Sequence, residues 1–129
     1  MRWPAVILLL LSLGITGARA QDKTSQTFTI AVSAHDVTLS WTPPTLLANG
    51  NPLPTGSVIT YNVFRGSTPG GEGLTPINPV PVSTAGYKDI KVIGGATYYY
   101  YVEAINTLDG VTSPPSVPSM EATATVPSP

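Results

Sequence analysis

Cysteine is absent from this chain, histidine occurs once, and charged residues make up 10% of its 129 positions. Without cysteine there is no disulfide framework, no thiolate metal site and no cysteine nucleophile. One histidine and a few scattered carboxylates make a poor ligand set, so neither a metal nor a cofactor is expected. Cations are scarce too, with six Lys and Arg against seven Asp and Glu. That balance excludes the basic footprint of a nucleic-acid binder. Helical periodicity is missing, since no window of about 11 residues repeats its apolar positions every 3.6 residues. The length leaves room for one domain, which excludes a multidomain enzyme, a TIM barrel or a two-lobed receptor.

What is present begins with an export signature. Arg2 precedes the apolar run from Ala5 to Leu11, which Leu13 and Ile15 continue, and Ala18-Arg19-Ala20 supplies small residues two apart. A charged start, a short apolar stretch and an A-x-A site are the three parts of a secretory signal. Gly14, Thr16, Gly17 and Arg19 break the run before the ~20 residues that a membrane span requires. Residues 1–20 are therefore expected to be a signal peptide cleaved after Ala20. Removing 20 residues from 129 leaves 109, and losing Arg2 and Arg19 takes the net charge from −1 to −3. The product is expected in a periplasm or outside the cell, with no membrane span of its own.

The rest reads as short strands cut by turns. After a polar leader at 21–26, residues 27–32 alternate polar and apolar. Val37, Leu39 and Trp41 share one face of the next strand, which Pro43-Pro44 ends. Residues 45–57 are long and turn-rich around Asn49-Gly50. A strand over 58–65 places Tyr61 and Val63 on one face and Asn62 and Phe64 on the other. Gly-rich residues 66–73 and the proline-dense stretch 75–82 suit a loop and an irregular edge. A short strand is expected at 87–90, the strongest at 97–105 through Tyr98-Tyr99-Tyr100-Tyr101, a hairpin turn at Asp109-Gly110, and a last strand at 120–126. About seven such strands make an all-β, immunoglobulin-like sandwich over residues 27–126, with a frayed end at 127–129.

Four pieces, standing in order, resemble a fibronectin type III domain of the bacterial exported type. They are Val37-Thr38-Leu39-Ser40-Trp41-Thr42-Pro43-Pro44, Ile59-Thr60-Tyr61-Asn62-Val63-Phe64-Arg65-Gly66, Gly95 to Asn106 around the tyrosine run, and Gly110-Val111-Thr112-Ser113-Pro114-Pro115-Ser116. The resemblance implies fibronectin type III topology, a core around Trp41, Tyr61 and Tyr98, and a tyrosine corner at Tyr98. It also makes the strands holding Phe64 and Tyr101 neighbours. Phe64, Tyr99 and Tyr101 then form an aromatic patch on an outer face.

Candidate chemistry is thin. His35 and Asp36 lie near Ser33 and Ser40, but neighbours on a strand point to alternate faces and do not assemble a triad. The carboxylates Asp22, Asp36, Glu72, Asp89, Glu103, Asp109 and Glu121 show no calcium-loop spacing, although Glu72 and Asp109 lie on loops able to approach each other. Gly70-Gly71-Glu72-Gly73 lacks the Lys-Ser/Thr of a phosphate loop. The expected function is that of an exported, non-enzymatic module for protein or cell-envelope interaction. The alternative is a carbohydrate-binding module that stacks a polysaccharide on Phe64, Tyr99 and Tyr101.

Overall fold

A period of two decides which side chains meet. Val37, Leu39 and Trp41 are buried while Thr38 and Ser40 between them are exposed, and Tyr98, Tyr100, Val102 and Ala104 repeat the pattern further along. Each strand therefore has one apolar face, and two sheets close on each other to bury these faces. The computed structural model describes residues 5–13, 24–33 and 35–128. The strands are β1 (Ala5–Leu13), β2 (Thr24–Val32), β3 (Val37–Trp41), β4 (Val58–Gly66), β5 (Gly86–Asp89), β6 (Thr97–Leu108), β7 (Val111–Thr112) and β8 (Ala122–Thr125). One sheet has the order β1-β2-β3-β5; the other joins β4, β6 and β7, with β8 also on β6. All these pairings are antiparallel. The protein is an all-β, immunoglobulin-like sandwich.

The core lies between the sheets. Ile30, Val32, Val37, Leu39 and Trp41 come from one side; Tyr61, Val63, Tyr98, Tyr100, Val102 and Ala104 come from the other. Trp41 meets Tyr61 edge-on, with ring centroids 5.0 Å apart. Three expected core residues, Trp41, Tyr61 and Tyr98, are thus all buried.

Where the ladder is irregular, side chains replace backbone. Residues 75–82 carry Pro76, Pro79 and Pro81 and form no named strand, yet they run beside β4. Tyr61 exchanges both backbone bonds with Val82, and the Ile77 N–H donates to the Val63 carbonyl at 2.7 Å. Between them the buried Asn78 accepts from the Val63 N–H at 2.7 Å and donates to the carbonyls of Tyr61 and Val80. A similar device holds the far edge. Ser113, Ser116 and Ser119 each give a backbone N–H to β6, at Asn106, Ala104 and Val102. Their hydroxyls accept the N–H of those same three residues. Three residues of this edge therefore pass two of β6, and the surplus accommodates Pro114, Pro115 and Pro118.

Several boundaries differ from expectation: β5 is Gly86–Asp89, β6 runs on to Leu108 and β8 is Ala122–Thr125. β2 starts at Thr24, so part of the polar leader is strand. Residues 45–57 fold back on themselves through bonds from Leu47 N–H to Asn51 and from Leu53 N–H to Thr45. The apolar stretch read as the heart of the signal forms β1 along β2, with Ala5 opposite Val32 and Leu13 opposite Thr24. The rest of that signal, at 1–4 and 14–20, lies outside the described residues, as does the final Pro129.

Candidate binding site

The tyrosine run and the end of β4 build two faces. On the outer face, Phe64 stands opposite Tyr101 in the β4–β6 ladder. Their rings stack at 4.5 Å with an interplanar angle of 18°. Phe64 is nevertheless only 4% exposed, where the sequence leads one to expect an open platform. The Gly-rich loop accounts for its burial. Gly66 packs so closely on the Gly71 carbonyl that a Cβ would collide with it. The Tyr101 hydroxyl then donates to the Gly73 carbonyl at 3.2 Å, and the Gly70 N–H donates to Glu121 Oε2 at 2.5 Å. Glu72 is buried beside Glu121 rather than near Asp109. Burial, and then the neighbouring Glu121 carboxyl, raises its pKa above the usual carboxylate value. Tyr99 and Tyr101 remain half-buried.

The other face carries a polar network that ties the sheets together. Arg65 is the last residue but one of β4, and Asp89 ends β5 in the opposite sheet. Arg65 Nη1 donates to Asp89 Oδ2 at 2.8 Å and Oδ1 at 3.1 Å, and to the Lys91 carbonyl at 2.9 Å. The Tyr100 hydroxyl donates to Asp89 Oδ2 at 2.8 Å, and the Lys91 N–H donates to Oδ1 at 3.0 Å. The guanidinium also lies 5.2 Å from the centre of the Tyr98 ring. Tyr98 in turn accepts the Ile93 N–H on its hydroxyl at 3.1 Å. Burial works against the Arg65 charge, but the hydrogen bond and charge of Asp89 outweigh it and hold Arg65 above its usual range. Burial, reinforced by Asp89, pushes the Tyr100 phenol well up. The same two causes raise Tyr87.

Outside this network opens a cleft of about 480 Å³, lined by Arg65, Lys88, Asp89 and Lys91 and walled by Ile77, Pro79, Tyr87 and Ile90. It lies where β5, the end strand of its sheet, comes near the 75–82 segment alongside β4. Arg65, Lys88 and Lys91 are every Lys and Arg from residue 24 to the end of the chain. Lys88 also pairs with Asp36 at 3.2 Å. No family model matches this chain, and no curated protein is similar to it. The site therefore rests on its own geometry.

The serine, histidine and aspartate near β3 form a turn. The Ser33 hydroxyl accepts the backbone N–H of His35 and of Asp36 at 3.4 and 3.2 Å. Sequence reasoning passed over Arg65, Lys88 and Lys91 and counted Asp89 only among the scattered carboxylates. Counting cations from residue 24 onward, instead of over the whole sequence, would have singled out all three.

Proposed function

We propose that this chain is an exported, non-enzymatic interaction module of fibronectin type III topology, and that its partner is a protein or a cell-envelope component. Strands β2, β3 and β5 facing β4, β6 and β8 support that topology, as does the Tyr98 hydroxyl bound to the chain just upstream. One observation carries the functional reading. The polar groups at the junction of the sheets bond one another, while Arg65, Lys88 and Lys91 converge on one open cleft. Such a surface is built to hold something and offers no oriented nucleophile and base. The aromatic reading has less support, because Phe64 is covered and Tyr101 is engaged by Phe64 and Gly73.

Formaldehyde cross-linking of the full chain in its own compartment tests this reading. It should give a discrete protein adduct, and a glycan array should stay blank. Turnover of an ester or glycoside substrate that His35→Ala abolishes would overturn it.

A further inference from the structure

We propose that the cleft beside β5 is a docking groove for an extended acidic segment of a protein partner. The segment adds along the free edge of β5. Its carboxylates meet Arg65, Lys88 and Lys91, and its aliphatic side chains lie on Ile77, Pro79 and Ile90. The inference rests on the interaction-module reading and names the chemistry of the partner.

Charge is the first argument. The whole chain is net −1, yet the cleft gathers three cations; Asp89 offsets Arg65 and Asp36 lies against Lys88, so the exposed lysines, Lys91 above all, carry the excess positive charge. The Lys91 ammonium has no partner among the described residues, and the Lys88 side chain is 58% exposed. A concave wall with cations of one sign attracts and orients an anion. Arg65 is pre-set for a carboxylate, since Asp89 and the Lys91 carbonyl hold its guanidinium still.

Edge chemistry is the second argument. An extended peptide binds a sheet by pairing with an unfilled edge. In the other sheet, prolines at 76, 79 and 81 break up the segment beside β4, and prolines at 114, 115 and 118 break up the segment beside β6. At the far end of its own sheet, β2 is covered by β1 until the leader is cleaved, and Thr24–Val32 carries no lysine or arginine to hold an acidic strand. Strand β5 ends that sheet, and Gly86–Asp89 contains no proline. Its one lysine, Lys88, with Lys91 just beyond the strand, repels the matching edge of a second copy, which is the usual protection of an edge strand. The same two lysines admit an acidic strand. The walls decide against a charged sugar: three of them are aliphatic, and Tyr87 is the one ring, half-buried.

Fluorescence anisotropy on the full chain tests the groove, with a short labelled peptide alternating isoleucine and glutamate as probe. The same peptide with lysine for glutamate is the control, and oligoglucuronate is a third arm. The acidic peptide should bind more weakly as salt rises. Lys91→Glu and, separately, Lys88→Glu should each weaken it about five- to tenfold. Both side chains are exposed: Lys91→Glu should keep wild-type melting, and Lys88→Glu, which sets a carboxylate against Asp36, should lower it only slightly. Hydrogen exchange should slow at the amides of β5. Equal binding of acidic and basic peptides, indifference to both substitutions, or binding of oligoglucuronate in place of the peptide overturns the proposal. If the cross-linked partner persists unchanged in Lys88→Glu and Lys91→Glu, the groove assignment falls alone. If no partner forms at all, the module reading falls with it.

Discussion

Asp89 is the residue at which the two sheets are tied, and Trp41 is the one around which they pack. The Asp89 side chain is 4% exposed and that of Arg65 25%. Asp89→Ala strands a half-buried guanidinium and two donors, and should cost about 3 kcal/mol in urea unfolding. The partial hydration of Arg65 keeps the effect at the low end of that range. Trp41→Ala opens a cavity against Tyr61 and should cost about 3–5 kcal/mol; a mild effect would place the indole outside the core. Alkaline pH tests the tyrosines. Burial pushes Tyr61 up to about 12, partly offset by the adjacent Trp41 indole, and raises Tyr100 as well. An unfolded phenol titrates near pH 10. A raised acid binds its proton more tightly in the native state, so this stability is complete below about pH 10 and is lost as pH rises towards 12. Denaturation midpoints that stay flat over that interval would contradict the burial of both rings.

Elements divide by how local their cause is. β3 and the core face of β6 could be read in the sequence because a period of two is a local property, and Val37-Thr38-Leu39-Ser40-Trp41 displays it without interruption. The Asp109-Gly110 turn could be read as well, since both residues sit at positive φ, 51° and 77°. The cover over Phe64 could not. Alternation says which side of β4 a ring takes, but not that a loop will return across it, and that return depends on Gly66 meeting Gly71. The serine edge was hidden for a related reason. Ser113, Ser116 and Ser119 recur every third residue, which is no strand period, and they make sense only beside β6. Arg65 and Asp89 lie 24 positions apart in different sheets, so no motif links them. Two predictions belong here. Ser116→Ala removes the hydroxyl that accepts the buried Ala104 N–H and should cost about 1–3 kcal/mol. Gly66→Ala should lift the loop and speed hydrogen exchange over residues 66–73; unchanged exchange would mean the loop is not held by that contact.

At the scale of the whole molecule, the scarcity of charge gains a location. The chain is nearly neutral, but from residue 24 onward its three cations line one opening, where Asp89 is the one carboxylate among them. The leader reading affects the same surface economy. Cleavage after Ala20 would take β1 away and leave β2 as an edge, and intact mass of the exported protein should show a chain that starts at Gln21. The central claim is that the cationic cleft is the contact face. Zero-length carbodiimide cross-linking joins amines to carboxylates in direct contact and tests it most directly. Partner carboxylates linked to Lys88 and Lys91 are the predicted result; a partner joined through Glu103, Asp109 or Glu121 instead would contradict it.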